Sequence, residues 1–176
     1  MLRESTMLQR GVFALWLLLP LMAGAAWGQD RIPAARCVSL AGDSVSLPGD
    51  LGQRTAVLVI GFSRSSQTEV RGWSKRLAAD YPDSPHVAYY EVAMLSGVPK
   101  FLRGIVVRSM KKDVPERAQG HFLPLTDDDT AWRKVVHFDN ADAAYVVVID
   151  GRGMVRWQTV GDASDDAYAE LKRHLP

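Results

Sequence analysis

The first regular alternation of apolar and polar positions lies around residue 41. Cys37-Val38-Ser39-Leu40 and Ser44-Val45-Ser46-Leu47 are short runs of period two on either side of Ala41-Gly42-Asp43. Two such runs around a Gly-Asp turn predict a β-hairpin. The pattern then changes. Thr55 to Phe62 (TAVLVIGF) is apolar almost throughout and rich in β-branched residues, which predicts a strand buried on both faces. From Glu69, Val70, Trp73 and Leu77 recur at helical spacing, with Lys75, Arg76 and Asp80 on the opposite side. Ser63 to Ser66 supply cap chemistry ahead of that helix. It should stop near Tyr81-Pro82, because the residue before a proline is pushed out of the helical region.

Further along, His86 to Leu95 (HVAYYEVAML) predicts another strand. Phe101 to Met110 mixes apolar Phe101, Leu102, Ile105 and Val106 with Arg103, Arg108, Lys111 and Lys112, and reads as an amphipathic helix. His121 to Leu125 is a short strand candidate. Thr126-Asp127-Asp128-Asp129 then opens a helix through Val136, the acids matching the positive end of its dipole. Ala144 to Ile149 (AYVVVI) is a second buried strand, Asp150-Gly151-Arg152-Gly153 a turn into Met154 to Trp157, and Ala163 to Leu175 a closing helix. The predicted architecture is α/β: a central mixed β-sheet flanked by helices, with an N-terminal β-hairpin. That order resembles a thioredoxin-like domain carrying the peroxiredoxin-type hairpin.

Ahead of the domain, Gly11 to Ala26 (GVFALWLLLPLMAGAA) is sixteen residues without a charge, preceded by Arg3 and Arg10. A bilayer core of about 30 Å needs about 20 apolar residues in a helix, and Pro20 weakens a continuous one. Ala26-Trp27-Gly28 has small residues where a signal peptidase inspects. Residues 1–28 are therefore expected to be a secretory signal, cleaved between Gly28 and Gln29, in a protein that is periplasmic or extracellular. The alternative is an uncleaved N-terminal anchor, which would be the chain's one contact with a membrane. Residues 29–36 read as a loose lead-in and 37–176 as a single domain.

Composition removes some function classes. Among 176 residues, 21 Lys and Arg face 20 acids, so there is no surplus of clustered cations for nucleic acid. One cysteine excludes an intramolecular disulfide and any Cys-x-x-Cys motif. His86, His121, His137 and His174 are scattered, and the three aspartates at 127–129 do not follow a calcium-loop spacing. No metal and no cofactor is expected. Cys37 falls in the first hairpin strand, before any helix that could activate it, and reads as a buried or incidental thiol. Ser63, Ser65 and Ser66 lack a Gly-x-Ser-x-Gly elbow and read as capping residues. Their turn would still lie at the carboxyl ends of the strands, where open α/β sheets bind ligands. Arg156-Trp157 pairs two residue types enriched at binding hot spots, though a sheet-edge tryptophan more often belongs to the core.

Ser39 to Leu47 followed by Thr55 to Phe62 resembles the opening of redoxin domains, in which a strand delivers a catalytic cysteine to a helix N-terminus. Here that turn is Ser63-Arg64-Ser65-Ser66-Gln67, without sulfur. The loop Asn140-Ala141-Asp142-Ala143 likewise lacks the cis-proline with which catalytic thioredoxins receive substrate. Phe62-Ser63-Arg64, Val70, Trp73, Asn140, Tyr145 to Asp150 and Gly153-Met154-Val155-Arg156-Trp157 together resemble the F-type ATPase assembly-factor family of mitochondria. Its members are thioredoxin-like proteins that chaperone a membrane subunit of the F0 sector. The resemblance implies a redox-inactive thioredoxin-like protein that binds another protein, as an assembly factor or chaperone, and the signal segment adds the expectation that it is exported. Ser63 to Gln67 is then the candidate binding turn, and Arg156 and Trp157 are candidate partner contacts. The alternative is a single-thiol redoxin-type oxidoreductase, related to peroxiredoxin or thioredoxin, that uses Cys37.

Overall fold

The structure, a computed structural model, describes residues 30–176, so the expected signal segment and its Gly28–Gln29 junction lie outside the described residues. The two period-two runs pair as an antiparallel hairpin, β1 (Ala35–Val38) with β2 (Ser44–Leu47), Cys37 opposite Val45. The apolar runs become the strands of a second sheet. They are β3 (Thr55–Gly61), β4 (Val87–Met94), β5 (Phe122–Leu125), β6 (Ala144–Ile149) and β7 (Val155–Val160). Their order is β5-β4-β3-β6-β7, with β3, β4 and β5 parallel and β6 and β7 antiparallel to their neighbours. Among the described residues the four α-helices are α1 (Gln67–Asp80), α2 (Lys100–Asp113), α3 (Thr130–Val135) and α4 (Asp165–Arg173).

Alternate residues of the central strands fill two separate cores. Leu58, Ile60, Val92, Tyr145 and Val147 point toward the hairpin and α3. Val57, Val59, Val146 and Val148 point toward α1 and α4, where Val70, Trp73, Leu77, Tyr168 and Leu171 cover them. β3 and β6 are buried along nearly their whole length because both faces are covered.

Two expectations need correcting. Residues 30–32 are tied in rather than loose. Ile32 is buried and donates its N–H to Gly153 O at 2.9 Å, and Val155 donates back to Asp30 O at 2.8 Å. The packed domain therefore begins before residue 37. Gly153 supports this junction with φ at 79°, and a Cβ there would meet Pro48 at 2.9 Å and Ile32 at 3.1 Å. The strand after the Asp150–Gly153 turn also runs on to Val160, past Trp157, pairing with Tyr145 to Ile149 of β6 with a register shift between Val148 and Ile149.

Candidate functional site

The carboxyl ends of the parallel strands meet where β3 passes into α1, the region in which open α/β sheets place ligands. β3 ends at Gly61, opposite Ala93 of β4 and Ala144 of β6. A Cβ on Gly61 would lie 2.7 Å from Ser66 Oγ and 3.3 Å from Val70 Cγ2. A glycine is needed there for the first turn of α1 to sit directly on the strand end.

Ser63 organises the turn. Its Oγ accepts the N–H groups of Ser65 (3.0 Å) and Ser66 (3.3 Å) and donates to Asp142 Oδ1 at 3.0 Å. A hydroxyl has two acceptor lone pairs; both are taken by N–H groups of the turn, so Ser63 is held as a cap. Ser66 stands at the N-cap position without a capping bond of its own; fully buried, it donates to Ser63 O at 2.9 Å. Arg64 and Ser65 are exposed at the tip and Gln67 is partly covered.

Asp142 belongs to the loop that enters β6, so this turn and that loop are in contact. A second tie comes from Glu69, one turn into α1, whose Oε2 accepts the Ala144 N–H at 2.8 Å. Ser66-x-x-Glu69 has the spacing of a capping box, and that spacing flags Glu69 as special. Its carboxylate nevertheless reaches across to the first residue of β6 instead of back to its own helix. Behind the loop, the Tyr145 hydroxyl accepts from Asp139 N (3.0 Å) and Asn140 N (2.8 Å) and lies 2.8 Å from Asp139 Oδ1. Its ring meets Phe62 and Phe138 at centroid distances of 5.5 and 5.7 Å. The Arg133 guanidinium lies 4.0 Å over Phe138 and binds buried Asp129 through two hydrogen bonds of 3.0 and 2.9 Å. Those bonds hold the Asp129 carboxyl below the ordinary range. Among the three aspartates at 127–129, Asp128 does the capping, through Thr130 N at 3.0 Å.

Beneath the turn, a groove of about 430 Å³ runs between α1 and α2 over β4. Val70 and Arg71 form one wall, Val106 and Met110 the other, and Glu91 lies on the floor, with Arg64 and Gln67 at the rim. Glu91 is a carboxyl on an inner strand. Burial pushes it up, opposed by the Ser74 hydroxyl and the Arg71 charge. A single acid inside an apolar β-run carries no motif, which is why the sequence does not single it out.

The other candidates lie elsewhere. Trp157 pairs with Val148, toward the far end of β6 from Ala144, and is half-buried against α4 with His174 stacked on it at 5.4 Å. Arg156 is exposed and forms an ion pair with Asp150. Cys37 is half-buried, 3.8 Å from Val45 O, and burial together with the Asp127 charge pushes its thiol up to about 11. Thiolate is then scarce at neutral pH. No group of three His, Cys, Asp or Glu side chains placed to hold a metal occurs among the described residues.

The family model described as ATP10 protein matches residues 31–175. No curated protein matches the chain. Similar solved structures include the thioredoxin domain of a thiol-disulfide oxidoreductase from Bacteroides vulgatus, at 16% identity and TM-score 0.59, covering 84% of this chain and 97% of that one. The exposed lipoprotein thioredoxin Etrx1 of Streptococcus pneumoniae strain TIGR4 is 13% identical at TM-score 0.57, covering 81% of this chain and 100% of that one. A thioredoxin from Neisseria meningitidis, described as putative, is 21% identical at TM-score 0.53, covering 81% and 88%. The fold is thioredoxin-like.

Proposed function

The chain belongs to the ATP10 protein family of assembly factors, and from that premise we propose that it is an exported, redox-inactive thioredoxin-like protein that holds a segment of a client protein during assembly. By the family's role the client is a membrane subunit of the ATP synthase. The observation that carries the reading is the use of the turn at the end of β3. Its polar groups are engaged in structure, Ser63 as a cap, Ser66 against Ser63 O and Glu69 on the backbone of β6. The groove beneath it stays open between α1 and α2. A scaffold with its reactive positions tied up and its cleft open suits binding without thiol exchange. The position of Cys37, outside this cleft and with a raised pKa, supports the same reading over a single-thiol oxidoreductase.

In this reading residues 1–28 direct export and are removed, and the protein works outside the cytoplasm. Sequencing the exported form should begin at Gln29. A full-length, membrane-retained form would overturn cleavage. The contact surface is Ser63 to Gln67 with the groove below. Arg156 and Trp157 serve as an ion pair and a ring stack, so Arg156→Ala should leave client capture unchanged.

Insulin reduction and peroxide consumption test the chemistry. Neither should occur with the full chain, and an activity that disappears in Cys37→Ser would overturn the proposal. For the client, a photo-crosslinker at Val106 should capture a membrane subunit of the ATP synthase, and cells without the chain should hold less assembled complex. Normal ATP synthase levels in those cells would refute the client.

A further inference from the structure

Among the described helices, α2 is the one that contributes no buried side chain. Its inner side, with Val106 and Met110, lines the groove and is half-buried. Its outer side is not polar as an ordinary surface helix would be. Phe101 is 81% exposed, Ile105 56% and Leu102 37%. At 100° per residue, Phe101, Ile105, Arg108 and Lys112 fall on one line along the helix. Leu102 lies to one side of that line, and Lys100 and Lys111 to the other. The stripe is therefore apolar over its first half and cationic over its second. Arg103 is turned the other way, its guanidinium on Val98 O at 2.9 Å and Ser96 O at 3.2 Å, where it fixes the start of the helix. Asp113 is the one acid on the helix; it is exposed and borders the groove.

We infer that this outer stripe docks on a bilayer surface rich in anionic phospholipid. The occupant follows from charge and shape. An exposed phenylalanine with two aliphatic neighbours enters the boundary between headgroups and acyl chains, while lysine and arginine side chains on the same face reach the phosphates. Four exposed cations, Lys100, Arg108, Lys111 and Lys112, outnumber the exposed acids Asp113 and Glu116 at the end of the helix, and the surplus selects anionic over neutral headgroups. The inference stands on the stripe alone and is independent of the client assigned above.

A probe on the stripe itself tests this in the full chain. Ile105→Cys in a Cys37→Ser background carries a polarity-sensitive fluorophore, with Asp166→Cys on exposed α4 as a control position. Vesicles of equimolar phosphatidylcholine and phosphatidylglycerol should shift the emission at position 105 to the blue and leave position 166 unshifted. Added salt should reverse the shift. Lys111→Glu with Lys112→Glu should raise the lipid concentration at half-shift about tenfold or more, since each cation near an anionic surface is worth about 1 kcal/mol. An equal shift on pure phosphatidylcholine vesicles, or one indifferent to charge reversal, would overturn the inference. A blue shift without vesicles that grows with protein concentration would assign the stripe to a second copy of the chain and overturn it as well.

Discussion

α1 and α2 are both 14 residues long, both amphipathic in sequence, and together they flank one groove. Their energetics differ. α1 buries Val70, Trp73 and Leu77 against the sheet, and Trp73 Nε1 donates to Gly161 O at 2.9 Å. α2 has no fully buried side chain and leaves Phe101 facing solvent. Hydrophobic periodicity states that a helix has an apolar face, but not what covers it. For α1 the cover lies within the chain, on β3, β6 and α4. For the outer side of α2 the described residues provide none, and there the pattern reports an outward-facing surface.

The largest expected difference between the two is in stability. Trp73 is completely buried and packs beside Tyr168 at 6.1 Å. Trp73→Ala should cost about 3–5 kcal/mol in denaturant unfolding, as deleting a core aromatic removes its transfer energy and leaves a cavity. A loss under about 1 kcal/mol would mean that α1 is no better anchored than α2.

That anchoring was legible in the sequence, because Val70, Trp73 and Leu77 mark one stripe opposite Lys75 and Arg76. The unbroken apolar runs of β3 and β6 were legible for the same reason, as they record burial on both faces. The thiol-free turn could also be read, because strand, turn and helix are consecutive in the chain. The ties that make it a site could not. Ser63 to Asp142 spans 79 residues and Glu69 to Ala144 spans 75, and hydrogen bonds of that separation leave no periodic trace. The lead-in was misread because Asp30 to Ile32 owe their order to backbone bonds with Gly153 and Val155, which residue type does not encode. α2 reads from sequence as an ordinary amphipathic helix, yet Phe101, Leu102 and Ile105 of its apolar set are exposed, because burial is a property of the neighbours.

Next in size is the seat of α1. Gly61→Ala would place a methyl group 2.7 Å from Ser66 Oγ, which cannot swing aside without giving up its bond to Ser63 O. The substitution should cost about 1–3 kcal/mol, the usual range for overpacking. It should also loosen the turn, seen as faster hydrogen exchange at the Ser65 and Ser66 amides. An unchanged melting temperature would show that α1 can lift off the strand end, which would bring it closer to α2.

Glu91, on the groove floor between the helices, gives a pH signature. Burial holds its folded pKa above the unfolded one. The native state therefore binds the proton more tightly, and this stabilisation is complete below the unfolded pKa and lost as pH rises through the folded value. Near neutrality the ionised carboxylate opposes folding, so Glu91→Gln should raise Tm there, with the gain shrinking toward about pH 4. A Tm gain that is the same at both pH values would mean that the groove floor is fully hydrated and α2 stands further off than its packing implies.

The smallest effect is the one that separates the helices most directly. Phe101 is 81% exposed and precedes two more outward apolar residues, so replacing it removes almost no buried area. Alanine is also the better helix former by a few tenths of a kcal/mol. Phe101→Ala should therefore leave stability within about 0.5 kcal/mol of the parent, as for surface positions without structural partners. Native-state hydrogen exchange should show the α2 amides opening at lower free energy than those of α1, since few apolar contacts must break to release the helix. A loss above about 1 kcal/mol, with α2 amides as protected as those of α1, would mean that Phe101 is covered within the chain in solution. The outer stripe would then be a second core face, and it would have no room for a lipid surface.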